Sequence, residues 1–298
     1  MSLLVMSVCT YKLLTASGED RCAAIAFAKQ QDHPVVAGHL VSPLQHSTRF
    51  YSRCDEHGDT LFIFEVAPPA LGAAVGSPWM LSFCAKSLSV VEESLRGMTA
   101  DMLDWGVPTL WQGIAEAHLS PLLALLQEKG IKKTDICYCN RWSISTPTTE
   151  QEREEFRQGT TDTLSKAGSG YTVGPLTPKD AATVYTHWPY RSECLVDFVE
   201  QLIAHGESMG VRDGAARLVC WLVQQDYGVV GMAHTVKEER RKGLSRVALR
   251  ELALRLWDRG EQVECFIVDG NEASEGRWRG VGATVTGRYH WVTCEMLV

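Results

Sequence analysis

In the second half of the chain, hydrophobic residues first recur at helical spacing and then form an unbroken run. The helical positions are Leu244, Val247, Ala248, Leu252 and Leu256. They predict a helix that ends at Gly260, a typical stop signal. The run Gln262–Val268 is typical of a strand buried on both faces and paired parallel to the preceding strand, Val229–Val236. The pattern therefore predicts strand, turn, helix and strand in succession.

Upstream of these elements, the pattern predicts two helices and then a meander of three strands. Thr177-Pro178 combines a helix cap with a proline at the first helical position, so the first helix runs from there toward His187. The second helix covers Ser192–His205. Glycine-containing turns separate three strands. We place these strands at Gly210–Arg212, Ala216–Gln224 and Val229–Val236.

The first half of the chain shows short strands followed by helices. The predicted strands are Val35–Val41, Arg49–Arg53, Thr60–Val66 and Trp79–Phe83. Asp55–Asp59 reads as a hairpin turn. The predicted helices are Ser89–Met98 and Ala115–Lys129, the second with core leucines at Leu119, Leu122, Leu123 and Leu126. Gln158–Tyr171 is rich in glycine, serine and threonine and indicates a linker. The predicted domains are therefore 1–157 and 172–298.

Composition limits the class of protein. The 298 residues are 45% hydrophobic and 22% charged, which suffices for one or two compact cores. With 29 Lys and Arg against 36 Asp and Glu, the net charge of −7 argues against a nucleic-acid binder that works through general basicity. No hydrophobic run approaches the ~18 residues of a membrane span, so we expect no membrane partner.

The ten cysteines are spread thinly, and no secretory signal pattern precedes them, so we expect reduced thiols. Cytoplasm is the expected location, ahead of mitochondria, because the apolar start of the chain has no arginine. The one close pair, Cys137 and Cys139, lies on one face of a predicted strand without spaced histidine partners. We therefore expect no metal site.

A basic turn, Arg240–Ser245, joins the last strand of the meander to the helix that follows. Three consecutive basic residues open it in a chain that is otherwise acidic. Gly243 lets a ligand approach the backbone closely, and Ser245 is small. A helix N-terminus exposes unpaired N–H groups and the positive end of the helix dipole. The turn therefore predicts a pyrophosphate site, with a charged loop that only caps a surface helix as the alternative.

The turn Arg240-x-x-Gly243-x-Ser245 between a strand and a helix resembles the acyl-CoA loop of the GNAT superfamily of N-acyltransferases. Two later segments resemble further landmarks of the superfamily: Asn271-Glu272-Ala273-Ser274 and Trp278-Arg279-Gly280-Val281-Gly282-Ala283. Val219-Cys220-Trp221 and Gly231-Met232-Ala233-His234-Thr235 look most like the glycine N-acyltransferase-like branch. The resemblance covers about Thr172–Val298.

The resemblance implies a GNAT fold, a mixed α/β (α+β) architecture with a mixed sheet, and acyl-CoA, acetyl or longer, as co-substrate. In this branch the first half is a degenerate copy of the same fold, and we expect such a tandem here. The pantetheine arm would lie where Val229–Val236 splays from Gln262–Val268. The resemblance assigns these residues to the cofactor: Ala233, His234, Thr235, Arg240, Arg241, Lys242, Gly243, Leu244, Ser245, Asn271, Ser274 and Trp278.

An amine with a pKa near ~10 must lose a proton before it attacks a thioester. Relatives often carry a glutamate and a tyrosine for proton transfer, and here Val229 and Trp278 occupy those positions. His234, whose ordinary pKa suits a base, and Asp269 remain as candidate catalytic residues. The alternatives are a histidine that only forms hydrogen bonds, an aspartate that caps the next helix, and a tryptophan that packs against the cofactor or core.

Trp188, Tyr190 and Arg191 lie in the connection between the two predicted helices, which in the resembled fold borders the acceptor. Arg191 suits the carboxylate of an amino acid, with a capping role as the alternative. The expected function is direct transfer of an acyl group to a small amine or amino acid, by a monomer or homodimer. A catalytically silent acyl-CoA binder or sensor, and a transferase acting on protein or peptide amines, are the alternatives.

Overall fold

The computed structural model describes residues 12–14, 19–41, 48–54, 60–66, 79–85, 87–97, 105–106, 108–131, 133–189 and 196–295. The chain divides into two compact units. Unit 1 is Met1–Val41, Gln45–Cys137 and His290–Val298, and unit 2 is Ser42–Leu44 and Tyr138–Tyr289. Two strands, β6 (Lys133–Ile144) and β12 (Thr284–Glu295), have residues in both units.

Unit 1 has a mixed sheet with helices packed on both faces. Its strands, in order across the sheet, are β1 (Lys12–Leu14), β2 (Thr48–Cys54), β3 (Thr60–Val66), β4 (Trp79–Ala85) and β5 (Thr109–Ala115). Its helices are α1 (Glu19–Gln30), α2 (Pro34–Val41), α3 (Leu88–Arg96) and α4 (Glu116–Glu128). β4 pairs antiparallel with β3 and parallel with β5. Because side chains alternate along β4, Cys84 packs with α1 and α2, and Phe83 packs with α3 and α4.

One strand prediction for unit 1 is wrong. Val35–Val41 lies in helix α2, with Pro34 at the first helical position. The ring of His33 accepts a hydrogen bond from the N–H of Val36 at 3.4 Å, and the two adjacent valines are fully buried. Packing against α1 therefore overrides the strand preference of the valines.

The other predictions for unit 1 agree with the structure. β2, β3 and β4 confirm the three remaining strands, and α3 and α4 confirm the two helices. Leu123 is partly buried, while the other three predicted core leucines of α4 are buried. The turn Asp55–Asp59 lies outside the described residues. Helix α1 and strand β5 have no counterpart in the sequence prediction.

Unit 2 contains an antiparallel sheet of four strands in the order β10-β9-β8-β7. These strands are β7 (Thr172–Gly174), β8 (Ser208–Arg212), β9 (Leu218–Gln224) and β10 (Val230–Thr235). Two helices, α6 (Ala181–Thr186) and α7 (Val196–His205), pack on one face, and α8 (Leu244–Asp258) packs on the other. All five predicted helical positions of α8 are buried. The meander and the three helices are confirmed, although Ser192–Leu195 lies outside the described residues.

The strand after α8 does not have the predicted partner. β11 (Val263–Val268), which precedes α9 (Glu272–Arg279), pairs antiparallel with β6. β10 lies beside β11, but the two are edge strands of different sheets. The predicted parallel pairing is therefore wrong, because a bulge in β10 interrupts its regular geometry and the two strands form no ladder. Among the described residues, the facing edges of β10 and β11 form no ladder with each other, and we call the space between these edges the gap.

The predicted linker is mostly helical. Helix α5 (Glu150–Ala167) covers the first part of Gln158–Tyr171. A capping box begins it, because the hydroxyl of Thr149 accepts from the N–H of Glu152 and the Glu152 carboxylate accepts from the N–H of Thr149. Leu164, inside the predicted linker, packs against the core around α8. The cap and this packing form a helix where composition alone indicates a loop.

Candidate functional site

The segment Arg240–Ser245, which we call the phosphate loop, leads into helix α8. Gly243 is the N-terminal cap residue of α8 and has a left-handed backbone with φ of +82°. A Cβ atom at Gly243 would lie 2.6 Å from Cγ2 of Thr163 on α5, closer than such atoms approach. The positive φ and the close approach of α5 both require glycine at this position.

The backbone amides of the phosphate loop are available to a ligand. Within the described part of the chain, no backbone carbonyl accepts a hydrogen bond from the N–H groups of residues 241–245. The carbonyl of Gly243 begins the helix by accepting from Arg246 and Val247. α8 is 15 residues long, so its dipole adds positive potential at this end. Unpaired amides at a helix N-terminus form an anion-binding site.

The three basic side chains of the phosphate loop have different surroundings. Arg240 donates from Nε to the carbonyl oxygen of Thr235 at 3.0 Å and so ties the loop to the end of β10. Lys242 Nζ lies 2.8 Å from Glu239, whose carboxylate raises the pKa of Lys242. Arg241 is exposed, has φ of +65°, and forms no ion pair among the described residues. Arg241 is therefore the loop cation with the fewest competing contacts.

A β-bulge interrupts strand β10. Gly231 and His234 are separated by two residues, whereas their partners on β9, Val223 and Trp221, are separated by only one. Met232, inside the bulge, has a left-handed φ of +47°. Side chains alternate along a strand, so one extra residue moves every later side chain to the opposite face. The bulge thus decides which face His234 occupies.

The two residues after the bulge face opposite sides of the sheet. His234 lies opposite Trp221, which belongs to the core beneath α6 and α7. Thr235 lies opposite Cys220, which belongs to the core beneath α8, and its hydroxyl is 3.2 Å from the Cys220 sulfur. As an edge strand, β10 also has backbone groups without a ladder partner on its β11 side, including those near Ala233.

His187, Trp221 and His234 form a group of three rings in mutual contact, which we call the histidine cluster. The centroids of the two imidazoles are 4.5 Å apart, and His234 stacks on Trp221 at 4.9 Å. His187 is the C-terminal cap residue of α6, and its Nδ1 lies 2.9 Å from the carbonyl oxygen of Thr183. Since a carbonyl only accepts, Nδ1 of His187 carries a proton, and Nε2 of the neutral ring is an acceptor.

The environment keeps the imidazole of His234 in its neutral form at neutral pH. Burial, followed by the charges of His187 and Arg240, lowers the pKa of His234 to about 4. The ring can therefore accept a proton across the physiological range. The same shift makes it a weaker base than an ordinary histidine, because driving force for proton transfer falls with the pKa of the base.

Asp269, the second predicted catalytic residue, is exposed and follows β11. Its carboxylate accepts from Nδ2 of Asn140 at 3.0 Å and from Nη2 of Arg288 at 2.6 Å. No contact among the described residues joins it to the histidine cluster. Asn271 caps α9 instead, because its side chain accepts from the N–H of Ser274 at 3.2 Å. The place of Asp269 in a proton relay stays a prediction.

The remaining predicted residues vary in their accessibility. Trp278 is only 2% exposed and packs in the core around α8. The side chain of Leu244 is buried in the same core, so only the backbone of Leu244 is available to a ligand. Trp188 packs against the core beneath α6 and α7. Tyr190 and Arg191 lie outside the described residues.

Three side chains near the site have no counterpart in the sequence prediction: His187, Tyr171 and Arg277. The hydroxyl of Tyr171 contacts both Glu239 and Lys242 below the phosphate loop. Arg277 lies on α9 with its Nε atom buried. Two of them have a signal in the sequence, because each directly precedes a tryptophan that the sequence analysis assigns to the site. His187 precedes Trp188, and Arg277 precedes Trp278.

These features fit the parts of an acyl-CoA. The free amides and the exposed Arg241 match a pyrophosphate. The unpaired edge of β10 matches an extended pantetheine arm, because an extended chain of amides can add to a sheet edge. The gap between β10 and β11 leaves that edge open. The residues present therefore fit this ligand.

Comparisons with known proteins identify one matching segment and several similar folds. A family model described as FR47-like protein matches residues 208–292, from β8 into β12. No curated protein matches the chain. An X-ray structure of a Drosophila protein has a TM-score of 0.73 at 15% identity, covering 96% of this chain and 99% of its own.

Two further solved structures carry GNAT titles. A GCN5-related N-acetyltransferase from Sphaerobacter thermophilus has a TM-score of 0.54 at 13% identity, covering 95% of this chain and 94% of its own. A tandem GNAT protein from the clavulanic acid biosynthesis pathway has a TM-score of 0.52 at 10% identity, covering 97% and 99%. The chain thus has the mixed α/β GNAT fold, as predicted. The FR47-like match over residues 208–292 lies in unit 2 apart from residues 290–292 of β12, which belong to unit 1.

None of the helices in the described part of the chain is long and apolar enough to cross a membrane.

Proposed function

We propose that this protein is an acyl-CoA-dependent N-acyltransferase that acts on a small amine or amino acid by direct transfer. The observation that carries the proposal is the phosphate loop, where Gly243 places unpaired amides at the N-terminus of α8. The FR47-like family match and the similarity to solved structures with GNAT titles support a transferase. The glycine N-acyltransferase-like specificity remains part of this proposal and rests on the sequence resemblance.

In the proposed complex, the phosphate loop holds the pyrophosphate and the free edge of β10 holds the pantetheine arm. The bulge at Met232 interrupts the ladder next to the thioester, so that backbone groups near Ala233 are free to orient its carbonyl. Arg240 contributes by fixing the loop to Thr235. Binding therefore depends on backbone geometry more than on any single side chain.

The histidine cluster supplies the proton acceptor. The imidazole of His234 is neutral at neutral pH. Its unprotonated nitrogen can therefore receive the amine proton, directly or through water, as the amine attacks. His187, at 4.5 Å between ring centroids, is near enough to share that proton, and it lies directly before Trp188 in the predicted acceptor segment. Both donor and acceptor are bound together in this mechanism, so no covalent acyl-enzyme forms.

Calorimetry with CoA and acetyl-CoA tests the binding step, and mass spectrometry of CoA species that co-purify with the protein provides an independent readout. We expect micromolar or tighter binding of acyl-CoA. Release of CoA thiol in the presence of a panel of amines and amino acids tests the transfer. A protein that binds no CoA species by either method contradicts the proposal.

Two alternatives give different results in the same assays. A silent acyl-CoA binder or sensor would bind acyl-CoA without amine-stimulated thiol release. A transferase for protein or peptide amines would release thiol with peptides and not with free amino acids. Acceptor specificity follows from the panel, whereas the fold alone does not determine it.

A further inference from the structure

Arg277, on α9, is a half-buried arginine without a partner among the described residues. Its Nε atom is inaccessible to solvent and makes no hydrogen bond. Within the part of the chain that the structure describes, the guanidinium forms no ion pair and no ring contact. Arg279, two residues further along, is exposed and pairs with Glu275 at 3.5 Å. A desolvated charge is costly unless it meets an opposite charge, so Arg277 is suited to an anion that arrives with a ligand.

Two buried thiols belong to the core beside Arg277, because Cys220 and Cys265 share that core with Trp278, the residue after Arg277. Burial raises the pKa of Cys220 to about 11 and raises that of Cys265 as well, and the positive charge of Arg277 opposes both rises. Cys220 lies on β9 beside Thr235 of β10, and Cys265 lies on β11. The charge of Arg277 therefore acts on thiols of β9 and β11, the strands on either side of β10.

Arg277 and the histidine cluster act from opposite faces of β10. Both thiols beside Arg277 belong to the core around α8. Trp221, on which His234 stacks, belongs to the core beneath α6 and α7. One face of the strand thus carries a proton acceptor, and the other carries a fixed positive charge.

We infer that the Arg277 guanidinium contacts the sulfur of the bound thioester and stabilises the thiolate that leaves, in place of the tyrosine that is missing at position 278. This inference rests on the proposed function. The amine nitrogen forms a bond to the carbonyl carbon, the carbon–sulfur bond breaks, and its electron pair goes to sulfur. The amine proton goes to His234. Arg277 keeps its proton throughout and acts through its charge.

Three other titratable groups near the gap either have a partner or are neutral. Arg240 lies at the end of β10 and is held by the carbonyl of Thr235. Glu264 on β11 raises the pKa of Cys265, but it forms a buried ion pair with Arg141. His234 is neutral above its lowered pKa of about 4. Among these described groups, Arg277 is the cation without a hydrogen-bonded or ion-paired partner.

The test compares CoA with desulfo-CoA, which lacks the sulfur, by calorimetry between pH 6.5 and 9. A neighbouring positive charge lowers a thiol pKa by about 1–3 units, so wild-type protein should prefer CoA by roughly tenfold or more at pH 8.5. Arg277→Gln should abolish this preference and leave desulfo-CoA affinity within about twofold. Arg277→Lys should restore part of the preference, since it keeps the charge. Arg279→Gln, on the same helix, is the matched control and should behave as wild type.

The outcomes separate this inference from the proposed function. Equal losses of CoA and desulfo-CoA affinity in Arg277→Gln would show a structural role and overturn the inference. A variant that instead raises KM only for acceptors with a carboxylate would assign Arg277 to the acceptor and also overturn it. Failure of wild-type protein to bind either ligand would overturn the proposed function itself.

Discussion

The phosphate loop and the histidine cluster both lie near the C-terminal end of β10, but they are built differently. The loop presents backbone amides, fixed by a left-handed glycine against α5. The cluster presents imidazole rings, placed on their face by a bulge and tuned by burial. A backbone site tolerates changes in most side chains but no change in geometry, whereas a side-chain site depends on the identity of a few residues. Substitutions in the two sites should therefore separate binding from chemistry.

The largest effect should come from Gly243→Glu. The side chain would meet Thr163 and place a negative charge among the amides that bind the pyrophosphate. Loss of two charge-assisted hydrogen bonds of about 1.5–3 kcal/mol each corresponds to roughly 1000-fold weaker CoA binding, measured by calorimetry.

Gly260→Glu is the matched control for this variant. Gly260 follows the other end of α8, also has a positive φ of +72°, and has open space around a Cβ atom. It should therefore carry a similar backbone strain without touching the ligand. Equal loss of CoA affinity in both variants, with unchanged melting temperatures, would remove the loop from the binding site.

The next largest effect should come from His234→Ala. General base assistance contributes about 10²–10⁴-fold, and the lowered pKa of His234 puts this base at the lower end, so kcat should fall by roughly 100-fold. The dissociation constant of CoA should stay within about twofold of wild type. His205→Ala, which removes an exposed histidine at the end of α7, is the control. Full kcat in His234→Ala would make His234 a structural residue.

The protonation state of the cluster can be measured directly. NMR titration of the imidazole C–H signals should give a pKa of about 4 for His234. His187→Gln should raise that pKa, because it removes a neighbouring group whose charge disfavours protonation of His234. A pKa of His234 that stays the same in His187→Gln would show that the charge of His187 does not act on His234.

The difference between the phosphate loop and the histidine cluster also explains which of the two sites the sequence predicts. The phosphate loop follows from local features, a glycine and basic residues between a strand and a helix, and these can be recognised in the chain. The histidine cluster depends on the bulge at Met232 and on the end of α6, which bring His187 and His234 together from distant positions. Helix α2 and helix α5 escaped prediction for a similar reason, since packing decides their structure.

A smaller effect should distinguish the cations of the phosphate loop. Arg241→Ala should weaken CoA binding by roughly tenfold, the size of one charge-assisted contact. Lys242→Ala should weaken it by only about twofold, because Lys242 is held by Glu239 and is exposed. Calorimetry at two salt concentrations measures both, and the effect of Arg241 should shrink at high salt. The opposite ranking would mean that Lys242 leaves Glu239 to bind the phosphate.

The smallest effect should come from Asp269→Asn. The Asp269 carboxylate is exposed and held by Asn140 and Arg288, and an exposed ion pair contributes at most about 1 kcal/mol to stability. Its contacts point to β6 and β12 and not to the histidine cluster, so kcat should change by less than about threefold. Steady-state rates of Asp269→Asn and of the double variant with His234→Ala measure this. If the single variant instead loses as much kcat as His234→Ala, and the double variant loses no more, the two residues act in one proton relay. That result would extend the side-chain site from the histidine cluster across the gap to the end of β11.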